Sequence, residues 1–119
     1  MWTSRWRRLK WHSTPLPPEV ERVPRRHETL VASKPTLDLA LGGKGANQAV
    51  AAARLGSAAR FMGRLGSDAR GAWLRTALSA NGVSDWSTVS SLPSGQGMVM
   101  LDLEGGASSV VVSGANSEP

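Results

Sequence analysis

The pattern of apolar and polar positions in the middle of the chain predicts strands and one helix. Residues 28–33 and 36–41 have strand character, and Pro35 separates the two runs. A helix is predicted to begin near Gly45 and to end at Gly56, where a C-terminal glycine cap belongs. One face of this helix is apolar at intervals of three and four residues, through Ala46, Ala49, Val50 and Ala53.

The following segment repeats the order of strand and helix. Residues 59–66 predict a buried strand, and Ser67 or Asp68 is suited to cap a helix over residues 70–80 that ends at Asn81-Gly82. The positions predicted to face inward are Trp73, Leu74, Ala77 and Leu78. This order predicts an α/β fold with a parallel sheet.

The end of the sequence changes to a β pattern. Residues 98–103 and 109–113 are apolar runs joined by the polar and glycine-rich residues 104–107, which predicts a β-hairpin. The expected architecture is therefore a parallel-sheet α/β core with a small hairpin appendage.

Charge and composition separate residues 1–19 from the domain predicted over residues 20–119. The first segment is rich in Trp, Arg and Pro, has no regular period, and is predicted to be a disordered extension. Residues 1–27 carry seven basic and two acidic residues, which accounts for the whole net charge of +5, whereas residues 28–119 carry seven of each. A nucleic-acid partner is therefore not expected of the domain, although an RNA-binding or membrane-surface arm stays open as an alternative.

The composition excludes several classes of site and location. The chain has no cysteine, which excludes disulfides and cysteine-ligated metals, and its two histidines leave any metal centre to carboxylates. No apolar run approaches the roughly 20 residues of a membrane-spanning helix, and no secretory signal pattern is present. A cytoplasmic protein is expected.

The stretch "GGKGANQAV", residues 42–50, carries the candidate chemistry. It does not fit a Walker A loop, because Lys44 is followed by Gly45 rather than a hydroxyl residue, nor a G-x-G-x-x-G fingerprint, because position 48 is Gln48. A glycine turn before a helix does present free backbone amides at the positive end of the helix dipole. Lys44 adds a donor and Asn47 both donates and accepts, which suits sugar hydroxyls. A plain flexible bend is the alternative.

These residues also resemble a known family. "GGKGANQAVAAARLG" (residues 42–56), "GRLGSDARGAWLRTALSANGV" (63–83) and "VVVSGAN" (110–116) are similar to the N-terminal part of the PfkB carbohydrate kinases, in particular their ribokinase-like members. The resemblance spans about 100 residues from near Val20. It implies a partial ribokinase-like fold in which the hairpin belongs to a β-lid over the sugar.

The resemblance implies an ATP-dependent sugar kinase, with ribose as the favoured pentose. Gly43, Lys44 and Asn47 would contact the sugar, while Gly42 and Gly45 shape the turn. The intact family uses ATP with Mg²⁺, and K⁺ commonly assists. Lid strands in this family can also clasp a second subunit, which implies a homo-oligomer or pairing with an intact kinase.

Three departures from the family pattern limit what this chain is expected to do. Residues 1–19 lack the family's G-S-x-N-x-D segment, and Arg26-His27 stands where the family has Pro-Gly, so His27 is interpreted as a loop substitution. The family's ATP site and catalytic aspartate are expected beyond Pro119. The four aspartates after residue 28 are each predicted to have a structural role: Asp38 in a lid strand, Asp68 at a helix cap, Asp85 in a loop and Asp102 beside a hairpin turn.

No catalytic residue is therefore assigned. The interpretation is a truncated kinase fragment that retains the sugar-binding turn, is inactive alone, binds no cofactor fully and has marginal stability. The alternative is a non-catalytic interaction module that pairs through its lid strands.

Overall fold

The computed structural model describes residues 19–20, 22–32 and 39–119. The predicted disordered extension over residues 1–19 lies outside this part of the chain except for its last residue. The elements are, in order, β1 (Glu19–Val20), α1 (Lys44–Arg54), β2 (Arg60–Phe61), β3 (Arg64–Gly66), α2 (Ala69–Ala80), β4 (Ser84–Asp85), β5 (Thr88–Ser90), β6 (Gln96–Asp102), β7 (Ala107–Val112) and a 3₁₀ helix (Gly114–Ser117).

The α/β arrangement with parallel strand pairing is confirmed. β2 pairs with β4 and β3 pairs with β5, both parallel, and α2 provides the crossover between them. The register is continuous, since Arg60 lies opposite Ser84 and Gly66 lies opposite Ser90. The residues between the short strands keep the pairing, because the Thr88 N–H donates to the Gly63 carbonyl at 2.8 Å.

Two strand predictions need correction here. The single strand predicted over residues 59–66 is interrupted at Met62 and Gly63, where a Cβ on Gly63 would lie 3.1 Å from the Phe61 ring. The segment predicted as a loop around Asp85 forms β4 and β5. The two strands are not predicted from the sequence because the segment is mostly polar. Only Val89 and Trp86 supply large apolar side chains between residues 84 and 90.

The predicted strand over residues 28–33 does not form in the described part. Residues 28–32 adopt no strand, and they follow a turn that the Glu28 N–H closes by donating to the Arg25 carbonyl at 3.0 Å. Residues 33–38, which include most of the second predicted strand and Asp38, lie outside the described residues. Residues 39–41 are also not in a strand.

Both helices end in the same glycine cap, as the sequence predicts. After α1, the Gly56 N–H donates to the Ala53 carbonyl and the Ser57 N–H to the Ala52 carbonyl, each at 3.0 Å. Gly56 has φ +91°, a left-handed conformation that glycine adopts without a Cβ penalty. This bond pattern is the Schellman motif, and Gly82 makes it again after α2 with φ +76°.

The core lies between the two helices and the β2–β5 strands. The predicted apolar stripe of α1 is confirmed: Ala46 and Val50 are buried, and Ala49 and Ala53 pack against the same cluster. α2 contributes Leu78, which is fully buried, and Leu74. The prediction that Trp73 faces inward is wrong, because its side chain is 40% exposed. Further core residues are Leu65 and Val83.

The C-terminal hairpin forms from β6 and β7 with Met98 opposite Val110. Asp102 occupies the structural role predicted for it, since its Oδ1 accepts from the N–H groups of Glu104 at 3.0 Å and Gly106 at 2.7 Å. β1 adds a parallel third strand beside β6. Among the exposed apolar side chains of the hairpin are Met98, Val99, Leu103, Val110, Val111 and Val112.

Candidate functional site

The glycine-rich turn forms the N-terminus of α1. Gly43 is the N-cap with φ 92° and ψ 142°, and Lys44 is the first helical residue. The Asn47 N–H donates to the Gly43 carbonyl at 2.9 Å, which starts the helical hydrogen-bond ladder. A side chain at position 43 would be strained in this left-handed conformation, so the turn needs glycine there.

The five predicted site residues, Gly42, Gly43, Lys44, Gly45 and Asn47, lie together at this helix end and are all exposed. The opposite side of the turn is held by the core. Ala46 is 5% exposed, and a Cβ on Gly45 would lie 3.6 Å from the Phe61 ring. Since Ala46 and Val50 anchor the inner face of α1, the Lys44 and Asn47 side chains stand on the solvent side.

The electrostatic character of this helix end is positive. No side chain caps α1, and its first turn contains no acidic residue. The first backbone N–H groups of the helix therefore remain available to a ligand, and the helix dipole and Lys44 both favour groups with negative partial charge. Hydroxyl oxygens and anionic oxygens are the groups that match this arrangement.

The described aspartates have structural roles. Asp68 caps α2 by accepting from the Gly71 N–H at 2.9 Å, and this bond, followed by the Ser94 hydroxyl bond, lowers the pKa of Asp68. Asp85 pairs with Arg75 at 3.6 Å. Within residues 19–20, 22–32 and 39–119, no group of three or more acidic or histidine side chains is placed to hold a metal ion.

A second polar arrangement, which the sequence analysis missed, lies at residues 22–28. Arg22 makes a bidentate ion pair with Glu28, whose Oε2 also accepts from the Arg25 N–H at 2.8 Å. The Arg22 hydrogen bond and then the Arg25 amide lower the pKa of Glu28 to about 2. His27 lies in the turn between them with φ 65°. The prediction that His27 lies in a loop is confirmed, and its interpretation as a substitution of the family pattern stays a prediction.

A separate depression of about 470 Å³ lies on the other face of the β2–β5 strands. Met62, Arg64, Trp86, Thr88 and Glu118 line it, and none of the five predicted site residues does. Arg60 stacks on the Trp86 ring with 4.6 Å from Cζ to the ring centroid. Ala115 and Asn116 of the 3₁₀ helix also line this depression, which lies away from the N-terminus of α1, so the glycine turn stays the candidate site.

The helices of the described residues are too short and too polar to span a membrane.

Comparison with known proteins identifies the family of the chain. The family described as pfkB family carbohydrate kinase matches residues 18–119. A ribokinase of Arabidopsis thaliana is 41% identical over 102 residues, which cover 82% of this chain and 26% of the relative.

Solved structures give the same result. The structure of Arabidopsis thaliana ribokinase complexed with ribose and ATP has a TM-score of 0.64 at 40% identity, over 83% of this chain and 32% of that one. A ribokinase from Cryptococcus neoformans in complex with ADP has a TM-score of 0.73 at 31% identity, over 85% of this chain and 31% of that one. The chain thus spans about a third or less of the length of these relatives.

Proposed function

The chain belongs to the pfkB family of carbohydrate kinases, and we propose that it supplies the sugar-binding turn of a ribose kinase. The observation that carries this proposal is the uncapped N-terminus of α1, where Gly42, Gly43, Lys44, Gly45 and Asn47 are exposed together. The reaction of the complete enzyme would transfer the γ-phosphoryl group of ATP to the terminal hydroxyl of the sugar.

The turn is suited to hold a polyhydroxy ligand by its backbone and two side chains. Backbone N–H groups at the start of α1 donate to sugar oxygens, and the ammonium group at the end of the long Lys44 side chain donates to a further one. Asn47 presents both a donor and an acceptor, which matches a hydroxyl that does the same. A Cβ added at Gly42 or Gly43 would have no heavy atom within 4 Å, so a ligand can approach this backbone closely.

The proposal assigns binding, and not turnover, to the described residues. The described aspartates each make the structural contacts given above, so none is offered as the base that removes the hydroxyl proton. ATP, Mg²⁺ and K⁺ belong to the proposal for the complete enzyme and are assigned no residue here. We expect ribose binding without phosphorylation from this chain alone.

The test is titration of the purified full chain with D-ribose, followed by ligand-observed NMR. We expect weak saturable binding that Lys44→Met and Asn47→Ala each reduce by about tenfold, since a hydrogen bond contributes roughly 1 kcal/mol and one to a charged group more. Gln48→Ala, an exposed neighbour on the same turn of α1, is the matched control. Equal binding by wild type and both variants would contradict the proposed site.

A second proposal concerns the partner of the hairpin. Val110, Val111 and Val112 are 54%, 71% and 52% exposed on β7, which is an edge strand of its sheet. An exposed apolar edge strand is a template for pairing with another strand. We propose that a second copy of the chain, or an intact kinase subunit, packs on this hairpin.

A further inference from the structure

The base of the hairpin is joined to α2 by a small buried network. Ser94, which is 1% exposed, precedes β6 and donates its hydroxyl to Asp68 Oδ1 at 2.8 Å. The Ser94 Oγ also accepts from the Gly66 N–H at 2.9 Å. One hydroxyl therefore links the end of β3, the N-cap of α2 and the segment that leads into the hairpin.

The carboxylate of Asp68 completes this network with both oxygens. Oδ1 also accepts from the Gly71 N–H at 2.9 Å, and Oδ2 accepts from the Ser94 N–H at 3.3 Å. Asp68 thus caps the helix and binds the hairpin base at the same time. Hydrogen bonds to an ionised carboxylate are stronger than neutral ones, so Asp68 contributes more here than an ordinary cap.

Close backbone approach makes this junction specific. A Cβ on Gly66 would lie 2.5 Å from the Ser94 N and 2.7 Å from the Leu92 carbonyl oxygen. The two ends of the hairpin also meet, since the Ala115 N–H donates to the Pro93 carbonyl at 2.7 Å. A Cβ on Gly95 would lie 2.6 Å from the Ser113 carbonyl oxygen.

The strands of the hairpin contrast with this base. Met98 is 59% exposed and Val111 is 71% exposed, whereas Ser94 and Ala115 are almost completely buried. The base is therefore more deeply buried than the middle of the strands, where Met98 and Val111 face solvent.

We propose that Asp68 and Ser94 form a latch that fixes the base of the β6–β7 hairpin to the N-terminus of α2, so that the base opens less readily than the hairpin turn. The latch is a property of the fold and does not depend on the proposed sugar site. Asp68 and Ser94 are positioning residues, because they act on the hairpin through its base and contact no proposed ligand-binding residue in this network.

Hydrogen exchange of the full chain, resolved by peptide, tests the latch. In the wild type we expect the amides of Leu92, Ser94 and Gly95 to exchange at least tenfold more slowly than those of residues 103–106 at the hairpin turn. Ser94→Ala removes both hydroxyl bonds, and we expect it to accelerate exchange at residues 92–95 roughly tenfold, while residues 74–80 of α2 change less.

Asp68→Asn separates the latch from the helix cap. Asparagine caps helices as well as aspartate does, but its amide nitrogen cannot accept from the Ser94 N–H. We expect faster exchange at residues 92–95 with α2 retained, even if Ser94→Ala proves too unstable to fold. Ser79→Ala, on the exposed side of α2, is the matched control.

The outcomes distinguish the alternatives. Fast wild-type exchange at residues 92–95 would overturn the latch, as would equal rates in Asp68→Asn and Ser79→Ala. Acceleration restricted to the hairpin base supports it, whether or not ribose binds.

Discussion

Gly71 in α2 lies so close to Gly66 in β3 that a Cβ on Gly71 would be 1.9 Å from the Gly66 carbonyl oxygen. The obstacle is backbone, which cannot rotate away as a flexible side chain can. The first turn of α2 and the end of β3 are therefore packed together at a distance that only glycine permits at position 71.

We expect Gly71→Ala to destabilise the chain by about 1–3 kcal/mol, because overpacking outweighs the better helix propensity of alanine, which favours the substitution by about 1 kcal/mol. Urea unfolding followed by circular dichroism measures the change. Gly97→Ala is the control, since no heavy atom lies within 4 Å of its Cβ position. Equal midpoints for the two variants would show that β3 and α2 are less closely packed.

A substitution of His27 is expected to stabilise the chain rather than destabilise it. Its φ of 65° is left-handed, and the Glu28 N–H closes the turn on the Arg25 carbonyl. The PfkB pattern places Pro-Gly at positions 26 and 27, which suits a turn with positive φ at its third residue. We expect His27→Gly to stabilise the chain by about 1 kcal/mol.

The choice of substitution at this position checks the cause. His27→Asn should give part of the gain, because asparagine tolerates the left-handed region, and His27→Val should lose stability. If His27→Val instead raised the urea midpoint, backbone strain at position 27 would not be what limits the stability of the wild type.

The glycine turn permits a matched comparison of two adjacent residues. Neither Gly42 nor Gly43 has a heavy atom within 4 Å of its Cβ position, but only Gly43 has a positive φ, +92°. We expect Gly43→Ala to cost about 1–3 kcal/mol in strain and to weaken ribose binding, while Gly42→Ala has little effect on stability. Thermal unfolding and the ribose titration measure both effects. Similar losses from the two variants would argue against the backbone conformation as the cause.

Acid should destabilise the fold over a defined range of pH. The Arg22 side chain and the Arg25 amide hold the pKa of Glu28 at about 2, below its ordinary value of 4.5, and the Gly71 amide lowers the pKa of Asp68. Because both carboxyl groups bind protons more weakly in the folded chain, each stabilises the fold when ionised and loses that contribution in acid. For Glu28 the contribution is present above pH 4.5 and is lost as the pH falls towards 2.

Urea midpoints between about pH 7 and pH 2 measure this loss. We expect Glu28→Gln to make the dependence shallower below pH 4.5, the ordinary pKa of the carboxyl group, while Glu104→Gln, an exposed carboxylate beside the hairpin turn, keeps the wild-type slope. A wild-type slope in Glu28→Gln would mean that the ion pair with Arg22 does not persist in solution.

Local signals explain which elements the sequence predicts well. The two helices and the hairpin are marked by glycine caps, an aspartate cap and a turn, all of which act within a few residues. The strand pairs are less visible. β4 and β5 form because they pair with β2 and β3. The polar sequence of residues 84–90 has no local pattern that predicts a strand.

The candidate site divides in the same way. The turn at Gly43 and Lys44 is recognisable because glycine, charge and helix start are contiguous. The Arg22–Glu28 pair and the Asp68–Ser94 latch join residues that are 6 and 26 positions apart, and only the folded chain brings them together. The helical period predicts that Trp73 faces inward together with Leu74 and Leu78. Only the two leucines belong to the core, and Trp73 lies outside it.

The exposed hairpin gives the last prediction, which concerns self-association. Val110 lies opposite Met98, and the two side chains are 54% and 59% exposed. Burying this pair and its neighbours against another copy would remove apolar surface from water at about 25 cal/mol per Å². We expect the chain to associate with increasing concentration in analytical ultracentrifugation.

A charge on this surface should oppose that association. Val110→Lys places an unpaired ammonium group in the proposed interface, where its desolvation is unfavourable, and edge lysines disfavour strand pairing in natural sheets. We expect the variant to remain monomeric at concentrations where the wild type associates. Ser79→Lys, an exposed change on α2 that raises the net charge by the same amount, is the control for net charge. Association by Val110→Lys equal to that of the wild type would exclude the hairpin as the interface. The exposed side chains of Met62 and Trp86 would then be the next candidate surface, and Trp86→Ser the variant expected to dissociate the copies.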